Sequence, residues 1–343
     1  MPDDALSQVP QVPPAPQVPQ VPQVPQVSPA PPAPPDRPEA VAQGFPASLQ
    51  PPGAWPAIEA AQARDASARL PLHILDQGRP VPVGSVARAH LPALAGWADA
   101  LLVSAQAVTL RLPAAERTGF FAAANRQLQQ AGLIKAWRDE TYPVLAASGQ
   151  GPLLATLERA ASRFWGTLTF GAHCNGYRLG PDGRPSHLWI ARRAFDKAVD
   201  PGLLDNLIGG GVPWGQSPTE TVLREGWEEA GLRPAQMQAL RPGRRFTVLR
   251  DVAEGLQHEQ VSVYDLALPA DVQPQNQDGE VHSVTLMPLD AALAQAAAGA
   301  MTVDATLATL DFALRHRLLA ANLHQHLRAM CDGLWCGQAS LDR

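Results

Sequence analysis

The feature that most restricts this chain is a glycine-rich turn running straight into an acidic helix, GGGVPWGQSPTETVLREGWEEAGL at residues 209–232. Ser217, Pro218 and Glu220 form a capping-box start. The serine accepts from exposed first-turn amides, the proline suits a position that needs no donor, and the glutamate reaches back to the cap. Gly231 can adopt the left-handed conformation that ends a helix, and Pro234 blocks its continuation. The predicted helix is about three and a half turns long at ~3.6 residues per turn. Leu223, Gly226, Trp227 and Ala230 follow i, i+3, i+4, i+7 and are expected to form one apolar stripe. Glu225, Glu228 and Glu229 then fall on the opposite side.

Three carboxylates so close together repel one another and call for a compensating charge. Hard oxygen donors of this kind suit Mg2+ or Mn2+, which take few protein carboxylates and keep positions for substrate phosphates. An acidic string alone usually marks a solvated face, so the flanks matter. The spacing resembles the Nudix box, G-x5-E-x7-R-E-U-x-E-E-x-G-U, through Gly210, Arg224, Glu225, Glu228, Glu229, Gly231 and Leu232. It departs at Gln216, where the box carries a glutamate, and at Gly226, where it carries an apolar residue.

The 343 residues allow two domains on the usual size of ~100–200 residues each. A net charge of -5 without a basic stripe argues against nucleic acid as a partner. Cys174, Cys331 and Cys336 are odd in number and scattered, which fits a reducing compartment and no disulfide framework. Residues 1–53 repeat Gln-Val-Pro and are dense in proline, which fixes φ and removes donors; a disordered, polyproline-like arm is expected. No basic stretch followed by an apolar one comes after Met1, and no apolar run has the ~18 residues of a membrane span. The expectation is a cytoplasmic protein without a membrane partner, for which a homodimer is an open assembly.

Ordered protein is predicted from residue 54: a small α/β domain over 54–150, a second domain over 151–327 and a tail over 328–343. In the first, a helix is expected over 57–69, a strand and turn over 70–83, a helix near 91–100, a strand over 101–112 and a helix over 114–132. The string Trp137-Arg138-Asp139-Glu140-Thr141-Tyr142-Pro143-Val144 reads as an extended connector, with its charges on a surface turn. In the second, a helix over 153–164 precedes strands at 166–179 and 187–194. A Pro-Gly-Leu-Leu-Asp-Asn-Leu-Ile lead-in at 201–208 then enters the glycine turn. Strands follow at 246–251, 260–268 and 283–287, then helices at 289–299 and 306–327.

The strand-turn opening at 74–86, the helix over 120–134 ending in Gly-Leu-Ile, the 137–144 string and the Arg-Arg pair before Leu-Asp-Asn are similar to Nudix proteins related to thiamine pyrophosphokinase. These carry an amino-terminal domain of unknown function before the Nudix domain. The resemblance covers roughly residues 70–320 and implies a Nudix α/β/α sandwich with a mixed sheet, preceded by a small α/β domain. It also implies Mg2+- or Mn2+-dependent hydrolysis of a small-molecule diphosphate. By the same resemblance, Glu225, Glu228 and Glu229 hold the metal, Glu225 being ligand or general base, and Arg224 orients them. Glu280, in the last long loop, is a further ligand or base. Arg192, Arg193, Asn206, Gly210 and Gly211 are the candidate substrate-binding residues. The suggested substrate is thiamine diphosphate or its oxo or oxy analogues, cut to the monophosphate, and Gln216 is then a trait of that branch. The competing readings are a nucleotide-linked diphosphatase acting on ADP-ribose or oxidised dNTPs, a noncatalytic ligand-binding Nudix module, and isopentenyl diphosphate isomerase, whose cysteine has no clear counterpart here.

Overall fold

A computed structural model of the chain describes residues 49–339. The proline-rich arm expected at 1–53 thus lies almost wholly outside the described residues; Leu49, near its end, makes a parallel bridge with Leu319.

The amino-terminal module opens with α1 (Pro56–Ala60). The longer helix expected over 57–69 does not form. Asp65 instead accepts from the Ser67 amide and hydroxyl, a local turn that competes with helix, and Arg69 enters the sheet opposite Ala87. Strands β1 (Arg69–Asp76) and β2 (Arg79–Ala87) form a hairpin. Its two-residue turn has Gln77 and Gly78 at φ 46° and 77°, the left-handed pair that matches strand twist. The 3-10 run 88–97 stands where a helix was expected over 91–100, because Pro92 interrupts the donor ladder.

The single strand expected over 101–112 is two, β3 (Leu101–Val103) and β4 (Val108–Leu110), split where Ser104 Oγ accepts from the amides of Gln106 and Ala107. The four strands run in the order β2-β1-β4-β3, and α2 (Ala114–Gln130) packs against them. Next come β5 (Thr141–Val144), β6 (Ala155–Glu158) and the one-turn helix α3 (Ser162–Trp165). The helix expected over 153–164 is corrected to strand and turn. Ala155 and Leu157 alternate inward beside Tyr142 and Val144, and that period-two burial satisfies a strand rather than a helix.

The second part of the chain is built on β7 (Thr169–Leu179), β8 (Pro185–Arg193), β9 (Leu204–Asp205), β10 (Ile208–Gly211), α4 (Pro218–Ala230), β11 (Arg241–Val252), β12 (Gly255–Ala267) and β13 (Val281–Pro288). It ends with α5 (Leu289–Ala297), α6 (Val303–Arg315), α7 (Ala321–Cys331) and β14 (Trp335–Gln338). The long helix expected over 306–327 is α6 and α7, separated at Arg317, which has φ 52°. The carboxy-terminal stretch adds β14 to the edge of the sheet.

The main sheet is mixed. Its order is β13-β8-β7-β12-β11-β14, with β7 and β12 parallel and the other pairs antiparallel, while β10 pairs with β7 and β9 with β8. One face packs Val248, Val261 and Val263 against α1, α5, α6 and α7. The other packs Ala172, Cys174, Tyr264 and Leu266 against Val222 and Ala230 of α4. The result is the α/β/α sandwich with a mixed sheet. Central β7 is buried on both faces, as a strand covered by helices on both sides requires. At roughly 25 cal/mol per Å2 of apolar surface removed from water, these two layers are the main stabilising contribution.

Candidate active site

Ser217 Oγ accepts from the Glu220 amide while Glu220 Oε2 accepts from the Ser217 amide, so α4 starts at the expected capping box. Gly231, at φ 63°, ends it. The faces of α4 differ from the expected ones. Trp227, assigned to the apolar stripe, is 49% exposed, and Glu229, assigned to the opposite face, is 7% exposed. Val222, Gly226 and Ala230 make the buried arc, and Glu229 lies at its border, where its Oε2 accepts from the Gly209 amide at 2.8 Å. α4 thus carries Glu225 and Glu229 toward the glycine strand, while Glu228 stays 37% exposed beside Arg224.

Gly210 has no side chain because Glu225 occupies the space: a Cβ there would collide with Glu225 Oε1. A Cβ on Gly211, which points to the other face, would collide with the Tyr142 hydroxyl and stand 2.8 Å from Arg159 Nη2. Arg224 binds Glu228 Oε2 through Nη1 at 2.7 Å and Glu225 Oε1 through Nη2 at 2.8 Å. Gln216, at the position of the upstream box glutamate, accepts from Arg224 Nε at 3.4 Å and from the Thr221 hydroxyl at 3.3 Å. Gly226 also has a packing reason: a Cβ there would meet Met237 Cε at 2.6 Å.

The electrostatics follow from burial and crowding. Burial raises the Glu225 carboxyl to about 7, Arg224 opposing and Glu228 assisting the rise. Glu229 is pushed well above the ordinary carboxylate range by burial and by Glu225, against the pull of the Gly209 amide. Among the described residues no group of acidic, histidine or cysteine side chains forms a ready metal cage. The donor set nevertheless fits a hard divalent cation. It is all oxygen, lies within one turn of one helix, and its mutual repulsion is what a cation relieves.

Of the other candidate residues, Arg193 binds Asp205 Oδ2 at 3.0 Å and lines a cavity of about 160 Å3 beside Gly209, Gly210 and Gly211. Arg192, Asn206 and Glu280 are not among its lining residues. Its neighbour on the strand, Arg192, turns the other way and donates to the Gly202 carbonyl. Asn206 is buried. Its amide donates to Asn175 Oδ1 at 3.0 Å and Thr309 Oγ1 at 3.1 Å, and its oxygen meets His173 Nδ1 at 2.9 Å. Glu280 binds Lys197 and, at 3.1 Å, Arg138. Burial opposes its charge, but Lys197 and Arg138 hold its carboxyl below the usual range.

Arg138 belongs to a string whose charges the sequence places on a surface turn. It bridges from the amino-terminal module to the loop carrying Glu280. Arg159, Tyr142 and Asp205 also gather near the glycine strand without having been singled out for it. The only local signal was the dense Arg-Asp-Glu-x-Tyr string beside a strand; its partners lie far along the chain.

Residues 175–307 match the NUDIX domain family, and residues 58–169 match a domain of unknown function, DUF4743. The chain therefore carries a Nudix domain behind a DUF4743 domain. It is 34% identical over 232 residues to Nudix hydrolase 20, chloroplastic, of Arabidopsis thaliana, covering 62% of this chain and 58% of that protein. It is 35% identical over 213 residues to Nudix hydrolase 24, chloroplastic, of the same plant, covering 60% and 55%. The chain spans a little over half the length of these curated relatives. Among solved structures, the NUDIX domain of Shewanella oneidensis NrtR complexed with ADP ribose is 19% identical, covering 44% of this chain and 89% of that one, at a TM-score of 0.33. No described helix is long and apolar enough to cross a membrane.

Proposed function

We propose that this chain hydrolyses the phosphoanhydride bond of a diphosphate-bearing small molecule with the help of Mg2+ or Mn2+. The observation that carries the reading is the placement of Glu225 and Glu229 against the side-chain-free strand Gly209 to Gly211, with Arg224 framing Glu225 and Glu228. Glu225, Glu228 and Glu229 are the residues that would hold the cation. When bound, it supplies charge neutralisation for the diphosphate and acidifies the attacking water.

The chain's own residues do the positioning. The Gly209 amide fixes Glu229, and Arg224 fixes the rotamers of Glu225 and Glu228 by donating to both. Gly210 leaves the space that Glu225 fills, and Gly211 the space that Tyr142 and Arg159 fill, so side chains from both sides reach the strand more closely than any other residue there would allow. Lys197 and Arg138 pair with Glu280 and keep that carboxylate, the proposed further ligand or base, ionised.

The finer reading is a diphosphate of thiamine or of its oxo or oxy analogues. Besides the sequence resemblance, the charge pattern of the cavity supports it. Arginines line it together with Glu259 and Asp304, which the Gln257 amide bridges. Such a pocket suits a ligand with an anionic end and a cationic or proton-accepting end. The cytoplasmic placement and the homodimer stay part of this reading.

The test is a panel of thiamine diphosphate, its oxo and oxy analogues, ADP-ribose and deoxynucleotides incubated with Mg2+ or Mn2+ and followed by phosphorus NMR. Cleavage of the thiamine compounds to monophosphates is expected. Preference for nucleotides overturns the substrate, and silence on the whole panel overturns the hydrolase reading.

A further inference from the structure

The role of α4 leaves unexplained why the amino-terminal module turns arginines and hydroxyls toward the glycine strand. The 160 Å3 cavity beside Gly209, Gly210 and Gly211 is walled on the module's side by Arg138, Arg159 and Arg163. A second cavity, about 70 Å3, lies against Arg159 and Arg163 and shares Gln257 and Glu259 with the first. It is lined by Tyr142, Ser162 and Thr167, whose hydroxyls have no hydrogen-bond partner among the described residues. These side chains belong to residues only 1%, 3% and 1% exposed. A buried hydroxyl without a partner is costly, and native interiors rarely leave one so. Three around one cavity indicate a polar group that completes them.

The arginines are bound loosely. Arg159 Nη1 meets Glu140 at 3.0 Å, Arg138 Nη1 meets Glu280 at 3.1 Å and Arg163 Nη1 meets Glu254 at 3.4 Å. Among the described residues these are the hydrogen bonds that their guanidinium groups make, so most of each five-donor fork is uncommitted. Arg159 Nη2 stands against Gly211, where diphosphate oxygens would approach the strand.

We propose that the amino-terminal module is the anion-binding wall of the substrate pocket: Arg159 and Arg163, with Arg138 at the rim, grip the diphosphate, and the Tyr142, Ser162 and Thr167 hydroxyls donate to its outer oxygens. This rests on the diphosphate reading above and gives the module a part in substrate recognition. Phosphate suits the arrangement because it accepts several donors at once and pairs bidentately with guanidinium. Glu254 and Glu259 face the same space and balance the arginines in the free protein. The long Arg163 to Glu254 contact is the one a phosphate displaces most readily.

The experiment is calorimetric titration of the full, metal-free chain with inorganic pyrophosphate in EDTA. Tyr142→Phe removes one hydroxyl and keeps the ring. It should bind pyrophosphate about tenfold more weakly, as expected for one hydrogen bond to a charged acceptor, while its melting temperature stays level or rises. Arg159→Ala and Arg163→Ala should each weaken binding by about tenfold or more, and Arg159→Lys should recover part of it. Unchanged pyrophosphate affinity in folded Tyr142→Phe and Arg163→Ala proteins overturns the inference, and a lower melting temperature with unchanged affinity makes the wall structural only. The two readings fail separately. If the hydrolase reading is wrong, the panel stays silent although pyrophosphate binding still depends on Arg159 and Tyr142. If the wall is wrong, hydrolysis proceeds with a KM indifferent to these substitutions.

Discussion

The two sides of the glycine strand are opposites in charge and in how they are assembled. On the α4 side, Arg224, Glu225, Glu228 and Glu229 come from one helix, and their ion pairs span one and four positions. On the module's side, Arg138 reaches Glu280 across 142 positions and Arg163 reaches Glu254 across 91. The acidic half is a local construction that any helix of this sequence would display. The basic half exists only once α3 has docked against β12. A local cluster is readable from spacing; a docked one is invisible until the topology brings its members together.

The comparison breaks most sharply at Glu229. Glu229→Gln keeps the shape and the acceptor for Gly209, so the fold should persist and the melting temperature should hold. Mg2+-dependent turnover should fall about a thousandfold or more, the loss of several kcal/mol of transition-state stabilisation. Wild-type turnover by that variant removes Glu229 from the site. Next come the adjacent glycines, whose missing side chains point to opposite faces. Gly210→Ala should displace Glu225 and lower kcat about a hundredfold, with steady pyrophosphate binding, whereas Gly211→Ala should displace Tyr142 and Arg159 and act on pyrophosphate affinity first. Identical profiles for the two variants would mean that the faces are not separate.

Asp304 offers a smaller, pH-dependent effect. Burial and then Glu259 raise its carboxyl to about 6, above the usual 3.8. The folded state therefore binds the proton more tightly than the unfolded one, and stability from this group is present below about pH 4 and is lost as pH rises through about 6. Asp304→Asn should raise unfolding free energy at pH 7.5 by about 1–3 kcal/mol and change it little at pH 4. Denaturant titrations at the two pH values decide, and equal effects at both would discount the buried charge. The least effect is expected at Gly226→Ala. Met237 is flexible at its end and gives way, while helix propensity improves by up to ~1 kcal/mol, so stability should move by under about 1 kcal/mol. A large activity loss there would make Gly226 more than a packing feature.

Much of the fold was legible. The α4 boundaries followed from Ser217 and Gly231, the first strand and turn from the pattern over 70–83, and the mixed sandwich from the resemblance carried by the box and its lead-in. The errors share one cause. Residues 155–158 look helical in composition and become β6 because Tyr142 and Val144 offer a strand edge and a core to fill. Trp227 fits the apolar stripe on a wheel, yet the sheet contacts α4 slightly to one side, which buries Glu229 and exposes the tryptophan. The site residues divide the same way. Arg224, Glu225, Glu228 and Glu229 are nameable from spacing, whereas Arg138 looks like surface in sequence because its partner, Glu280, lies in a distant loop.

By itself, the sequence determined the helix, its caps and the carboxylates on it, because those depend on dihedral preferences and on a 3.6-residue period within one segment. Only the tertiary structure decided which of those carboxylates is buried, why Gly210 and Gly211 must lack side chains, and that the amino-terminal module brings arginines and unpaired hydroxyls to the same strand. Burial, close approach and charge balance across a crevice are properties of chains in contact, and no single segment carries them alone.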